Sequence, residues 1–258
     1  MLLATWNVNS LRARMPRVVE FCLAHQPSVL AMQETKMAAD ATPLLELEAA
    51  GYSIVDHSSG RWAGVAIAAR PQVTDVVRGL PGEPLAQEAR WLEVEVNGLR
   101  IVTVYVINGR TLDDPAYAAK LRFLDAMHAR LSELTTAGPL VVAGDFNIAP
   151  ADLDVYDPAS FVGGTHVSAA ERDRLRGMLD LGLVDAYRHL HPSEVGYTWW
   201  DYRGGHFRKR MGLRIDMILV SKALARGIVR CDIDRTFRKG PRPSDHAPLL
   251  LQLERHPV

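Results

Sequence analysis

Polar side chains able to do chemistry recur at the ends of short apolar runs. Asn7 follows residues 2–6, Glu34 follows 29–33, Asn108 follows 101–107, and Asp145 and Asn147 follow 140–143. Late in the chain the order reverses, with Asp216 at the start of 215–220 and Asp245-His246 just before 248–253. A lone Asp or Asn in such a place is commonly a turn former, and a lone His a structural hydrogen-bonder. Six coincident sites point instead to convergence. If Glu34, Asp145, Asp216 and Asp245 meet, two charges ~4 Å apart repel by roughly 4 kcal/mol at an effective dielectric of ~20. A divalent cation resolves that repulsion. Oxygen donors, no Cys and a single nearby His favour Mg²⁺, with Mn²⁺ as a substitute, over zinc. A carboxylate-held cation of this kind neutralises charge on a phosphate oxygen and orients an attacking water, so the implied substrate is anionic.

Strands must carry these groups. Residues 2–6, 29–32, 64–69, 92–96, 101–107, 140–143, 215–220 and 248–253 have strand length and Val/Ile/Leu content. For all the groups to share one rim, the last two strands must run against the earlier ones, which implies mixed sheets. Asn97-Gly98 reads as a hairpin turn between two of them. Helical segments lie between the strands. Asp114-Pro115 reads as an N-cap and first turn, with Tyr117, Leu121, Leu124, His128 and Leu131 on one face. Ser168 and Glu171 form a capping box on a helix that Gly182 would end, and Thr42-Pro43 opens a shorter helix running to Gly51. With no repeat and no Pro/Gly/Ser-rich linker, residues 1–258 read as a single α/β domain.

Six ordered blocks make a family resemblance specific: Trp6-Asn7-Val8-Asn9-Ser10-Leu11-Arg12-Ala13-Arg14, Gln33-Glu34-Thr35-Lys36, Tyr105-Val106-Ile107-Asn108-Gly109-Arg110, Gly144-Asp145-Phe146-Asn147, Gly212-Leu213-Arg214-Ile215-Asp216 and Ser244-Asp245-His246-Ala247-Pro248. Together they resemble the exonuclease III family of apurinic/apyrimidinic endonucleases, within the endonuclease/exonuclease/phosphatase superfamily. The resemblance implies a four-layer α/β sandwich, two packed mixed β-sheets flanked by helices. It also implies a Mg²⁺-dependent hydrolase that incises double-stranded DNA 5′ to abasic sites, leaves a 3′-hydroxyl and repairs blocked 3′ ends by 3′–5′ exonuclease action.

By the same resemblance Glu34 is the principal metal ligand, with Asn9 beside it where some members have Asp, and Asp245 serves a second metal position. Asp145 orients or deprotonates the attacking water, and Asn147 helps place it. His246, held by Asp216, contacts the scissile phosphate. Asn7 supports the network, while Tyr105, Asn108 and Lys36 complete the phosphate environment. Whether Asp145 or His246 is the base stays open, as does the number of metals. Trp199, Leu213 and Ile215 resemble the apolar pocket for a flipped-out abasic sugar, whose missing base makes extrusion cheaper. The chain departs from relatives at Leu213, aromatic in certain members, at Ile107, commonly Pro, and at His166, which puts an imidazole where others are small. An imidazole pointing into that pocket would shift activity from abasic-site cleavage towards 3′ ends.

Thirty basic and 30 acidic residues give a formal net charge of zero, which excludes a globally basic coat and leaves only local contacts to nucleic acid. Three basic groups flank the chemical blocks: Arg12, Arg14 and Arg17; Arg203, Arg208, Lys209, Arg210 and Arg214, interleaved with Trp199, Trp200, Tyr202 and Phe207; and Arg235, Arg238, Lys239 and Arg242. With Arg110, these are the expected contacts to the DNA backbone, the source of sequence-independent affinity. Other readings are a superfamily phosphodiesterase or phosphatase acting on RNA or phospholipid, or a DNA-binding scaffold without catalysis. Two separated cysteines, Cys22 and Cys231, suggest neither disulfides nor zinc. An early polar turn after Met1 and the lack of a bilayer-length apolar run point to a cytoplasmic protein away from membranes. A monomer is expected.

Overall fold

A computed structural model describes residues 1–38, 45–60 and 62–254. Among them twelve strands form: β1 (Leu2–Asn7), β2 (Val29–Gln33), β3 (Ser53–His57), β4 (Val65–Ala69), β5 (Val73–Arg78), β6 (Trp91–Val96), β7 (Leu99–Tyr105), β8 (Leu140–Asp145), β9 (Leu183–Asp185), β10 (Asp216–Ser221), β11 (Ile228–Ile233) and β12 (Leu249–Leu253). The helices are α1 (Leu11–His25), α2 (Leu45–Ala49), α3 (Pro115–Ala137), α4 (Ala169–Asp180), α5 (Ala186–Leu190), α6 (His206–Lys209) and α7 (Lys222–Ala225). No helix among the described residues is long and apolar enough to cross a membrane.

Two six-stranded sheets result, ordered β11-β12-β1-β2-β4-β3 and β5-β6-β7-β8-β10-β9. Each has one parallel pair at its centre, β1 with β2 and β7 with β8, and antiparallel pairs elsewhere. The expected reversal is present: β12 runs against β1, and β10 against β8. Alternation along the strands builds three apolar layers. Leu3, Val29, Ala31 and Ile67 of one sheet meet Val94, Ile101, Val141 and Ile218 of the other. The opposite faces carry α1, through Leu11, Val18 and Phe21, and α3 with α4, through Phe123, Leu131, Leu175 and Met178. The expected four-layer α/β sandwich is therefore the observed one.

Local signals hold where they are strongest. Asp114 accepts from the Ala116 amide with Pro115 in the first turn; Ser168 and Glu171 close a full capping box; Asn97 and Gly98 both have positive φ, as a type I′ turn needs. The Thr42-Pro43 start lies outside the described residues. Two expectations need correction. The strand expected over 101–107 ends at Tyr105, because Val106 turns to donate to the Asp145 carbonyl. The α3 face is rotated: Ala119, Lys120, Phe123, Leu124, Met127, Leu131 and Leu134 are buried, leaving Tyr117, Leu121 and His128 at its margin.

Candidate active site

The row of inward-facing side chains along each central strand ends in a polar group. On β1 the row is Leu3, Thr5, Asn7; on β7 it is Ile101, Thr103, Tyr105; on β8 it is Val141, Ala143, Asp145; on β10, running the other way, it is Val220, Ile218, Asp216. Tyr105 and Asp216 are both in register with Asp145. The apolar interior thus gives way to chemistry at one end of the sandwich. Gly144 allows the approach, since a Cβ there would overlap the Val104 carbonyl. The Ser244–His246 segment is latched onto the same end: Ser244 Oγ donates to the Asn7 carbonyl at 2.7 Å, and Trp6 Nε1 to the His246 carbonyl at 3.1 Å.

Asn7 is the hub. Its Nδ2 donates to Glu34 Oε1 at 2.8 Å and Asp145 Oδ2 at 2.9 Å, while its Oδ1 accepts the Asn9 amide at 3.0 Å. Asp145 Oδ1 also accepts the Asn147 amide at 2.9 Å. Asn147 is held by the Val106 carbonyl and its Oδ1 accepts from Asn108 Nδ2 at 3.2 Å. His246 Nδ1 lies 2.8 Å from Asp216 Oδ2, and its Nε2 faces Asp145 Oδ2 across 3.8 Å. Glu34 and Asn147 sit at positive φ, 52° and 51°, a conformation costing about 1–3 kcal/mol when held at a functional site.

Electrostatics follow from depth. Burial lifts Asp145 to about 7, helped by Asp216 and Glu34 and opposed by His246 and the Asn7 hydrogen bond. Burial works against a charged His246, but Asp216, then Asp145 and Asp245, outweigh it and raise it to about 10. Burial also pushes the Tyr105 hydroxyl well above its ordinary value, so it is a neutral donor.

Donor atoms of Glu34, Asp145 and His246 lie within 4.8 Å of one another. Beside them Lys36 Nζ bridges Asn9 Oδ1 at 2.6 Å and Glu34 Oε2 at 2.8 Å, so these two oxygens already converge on a cation. The donor set fits a hard divalent ion. Asp245 stands outside the triad, its carboxylate taken by Asn9 Nδ2 at 2.9 Å and Trp199 Nε1 at 3.1 Å. A carboxylate at position 9 would confront Asp245 with a like charge; the amide donates instead.

The outer residues divide. Trp199 is half-buried and bridges to both Leu213 and His246. Leu213 and Ile215 are buried at 1% and 3% exposure, so they floor an apolar cluster that Trp199, Phe161 and Val167 cover, and they present little surface of their own. Arg12, Arg110, Arg208, Lys209, Arg210 and Lys239 are exposed. Arg210 lines a cavity of about 470 Å³ with His191 and Asp232, and Arg238 is buried. Arg214, grouped with basic loop residues in the sequence, is wholly buried and bonded to Asp154 at 2.6 Å and Asp185 at 2.8 Å. It ties the Leu213–Ile215 segment to Asp154 and Asp185 inside the fold.

Sequence reasoning misses Lys120. This fully buried ammonium donates to the carbonyls of Asn108 (3.1 Å) and Asn147 (2.7 Å), to Thr165 Oγ1 (3.2 Å) and to Glu171 Oε1 (2.5 Å). It thereby pins two site asparagines to α3 and α4. The available signal was a lysine at helical spacing from Phe123, Leu124, Met127 and Leu131. His166 sits beside it with φ 74°, its Nδ1 donating to the Asn147 carbonyl at 2.6 Å. Burial, then the Lys120 charge, pull His166 down to about 4, so it is neutral at pH 7.

A two-sheet sandwich whose interior ends in carboxylates, asparagines and a carboxylate-held histidine is built for phosphoester chemistry at an anionic substrate. The Endonuclease/Exonuclease/phosphatase family matches residues 4–246, and the chain belongs to it. Within that family it groups with exonuclease III. It is 31% identical to exodeoxyribonuclease III of Haemophilus influenzae, over 97% of this chain and 98% of the relative. Among solved structures it is similar to a 3′ phosphatase from Neisseria bound to a product DNA hairpin, at TM-score 0.97 and 40% identity over 99% of this chain and all of the other. It is similar too to an AP endonuclease from Archaeoglobus fulgidus, at TM-score 0.95 and 33% identity over the same shares.

Proposed function

We propose that this chain is a metal-dependent DNA repair phosphodiesterase that incises duplex DNA 5′ to abasic sites and also clears blocked 3′ ends. The carrying observation is the convergence of Glu34, Asp145 and His246 within 4.8 Å at the mouth of the sandwich, in a chain of the exonuclease III group. Glu34, with Asn9 beside it and Asp245 as a second position, would hold Mg²⁺, or Mn²⁺ in its place. That ion supplies neutralisation of charge at the phosphate oxygens. Asp145 takes the proton of the attacking water, positioned by Asn147. It is the better base because His246, deep against Asp216, serves as a cation whose Nε2, on the Asp145 side, is free to touch a non-bridging oxygen. Water oxygen bonds to phosphorus, the P–O3′ bond breaks, and O3′ leaves with the bonding electron pair and takes a proton from solvent to become the 3′-hydroxyl, while the phosphate stays on the abasic sugar. Tyr105, Asn108 and Lys36 add neutral and cationic donors around the phosphate, and Asn7 fixes the two carboxylates. The protein works as a cytoplasmic monomer of one catalytic domain. Nicking of a tetrahydrofuran-containing duplex, abolished by EDTA and restored by Mg²⁺, tests the reading. Equal or greater activity on RNA or phospholipid would overturn it.

His166 favours the 3′-end side of this activity. It borders Asn147, and the Neisseria relative that resembles this chain closely is a 3′ phosphatase. His166→Gly is backbone-compatible because φ is already positive. It is expected to raise abasic-site incision relative to 3′-end removal, measured on matched duplexes; an unchanged ratio would remove the assignment.

A further inference from the structure

Arginines of the first and last basic groups, far apart in sequence, meet the aromatic rings of the middle one in a stack of guanidiniums and rings. Arg235 Cζ lies 5.6 Å from the Trp200 ring centroid and 5.4 Å from that of Phe207. Arg238 Cζ lies 5.2 Å from the centroid of the same Phe207 ring and 5.0 Å from that of Tyr202. Arg14 Nη2 closes the stack on the Tyr202 hydroxyl at 2.9 Å. None of these three arginines has a carboxylate partner among the described residues. Nearby acids are committed elsewhere: Asp201 to Arg203, Glu20 to Arg17, Asp234 to His25, and Asp245, whose charge reaches Arg238 without an ion pair, to Asn9 and Trp199.

Arg238 is the telling member. It is 7% exposed, and among the described residues its Nε has no partner and its one hydrogen bond goes to the Trp200 carbonyl at 3.3 Å. Arg14 Nε is likewise unpartnered. Ring faces return part of what burying a guanidinium costs, and burial indeed holds Arg238 below its ordinary value. The remainder calls for an anion from outside. An open cavity of about 520 Å³, bordered by Arg238, Lys239, Arg208, Tyr202 and Phe207, gives one access. The stack also adjoins the active site, since the Trp200 amide donates to the Asp245 carbonyl at 3.0 Å.

We propose that this arginine–aromatic stack is a preformed seat for DNA backbone phosphates flanking the scissile bond, with Arg238 as its central anion contact and Arg14 and Arg235 at its ends. The inference rests on the DNA reading above and adds the place where the duplex is gripped. The test is duplex binding in EDTA, where no strand is cut, titrated against salt. Each phosphate contact contributes about 0.9 to the slope of log K against log salt. Arg238→Met is therefore expected to lower the slope by about 1, equally on abasic and intact duplexes. Arg238→Lys should keep the slope and lose affinity, because an ammonium carries the charge without the planar fork. If Arg238→Met fails to fold, the double variant of the more exposed ends, Arg14→Met with Arg235→Met, carries the test, with a slope lower by about 2. Folded variants with the wild-type slope would overturn the seat alone. A wild-type protein without salt-dependent duplex binding would overturn the DNA reading instead.

Discussion

Asp145→Asn is expected to abolish strand cleavage while leaving duplex binding measurable in a mobility-shift assay. The substitution keeps the shape of a side chain that is 1% exposed and removes the oxygen able to take a proton. Loss of proton transfer by a positioned base lowers turnover by about 10²–10⁴-fold. Folding should suffer little. Of the three donors now facing the carboxylate, either the Asn147 amide or both Asn7 Nδ2 and the more distant Asn147 Nδ2 would lose an acceptor, at a cost of about 1–3 kcal/mol. Against this, the burial of a charge and the repulsion from Asp216 and Glu34 disappear, together with the attraction to His246. A melting temperature close to wild type with retained binding and near-normal turnover would refute the role of Asp145 as base. The outcome also discriminates between candidates, because His246 would keep its Asp216 contact in this variant and could still act if it were the base.

Which parts of this arrangement the sequence reveals follows from burial. All eight strands read from apolar runs are present, and the four that were missed, β3, β5, β9 and β11, are the four sheet edges. An edge strand packs on fewer neighbours and carries polar residues; Ser53–His57 and Val73–Arg78 have no fully buried position. Their sequences lack the apolar signal because the fold does not demand it there. The catalytic residues were legible for the opposite reason. Asn7, Tyr105, Asp145 and Asp216 each end a buried row and are polar where the row's period calls for an apolar residue, while Glu34, Asn147 and His246 stand in the loops just beyond the strand ends. Lys120 obeys the same rule on a helix, but it hid behind an α3 face assigned one register away. Arg214 shows the limit of reading charge by proximity in sequence: its neighbours Arg208, Lys209 and Arg210 are exposed, whereas the Leu213–Ile215 segment crosses the interior, where Asp154 and Asp185 await the guanidinium. The stack of Arg14, Arg235 and Arg238 is illegible for a third reason. It is assembled from three chain segments whose meeting depends on tertiary structure alone.

Lys120→Met is expected to be the most destabilising single change near the site, and its cost should depend on pH. The methionine fills much of the space but leaves the Glu171 carboxylate wholly buried without its cation; breaking one side of a buried pair costs about 3–5 kcal/mol. In a chain of this size each kcal/mol lowers the melting temperature by about 2–4 °C. The pH dependence comes from Glu171. Burial alone would raise its carboxyl, but Lys120, Ser168 and the His166 amide together hold it below the ordinary 4.5. A depressed carboxylate contributes stability above its unfolded value and loses it as pH falls through the folded one. Without Lys120 the burial effect is left uncompensated, so the variant should protonate Glu171 more readily and recover part of its deficit in acid. The difference in urea unfolding free energy between wild type and Lys120→Met should therefore be largest near pH 7, shrink as pH falls towards about 4.5, where the variant's recovery is complete, and shrink further below it as wild type loses its own contribution. Adding Glu171→Gln should restore part of the loss at neutral pH, since it removes the orphaned charge. A deficit under 1 kcal/mol, or one that is constant with pH, would show that the pair does not hold α3 to α4. Catalysis reports separately: Lys120 fixes the carbonyls of Asn108 and Asn147. The double variant should thus regain stability without regaining full turnover.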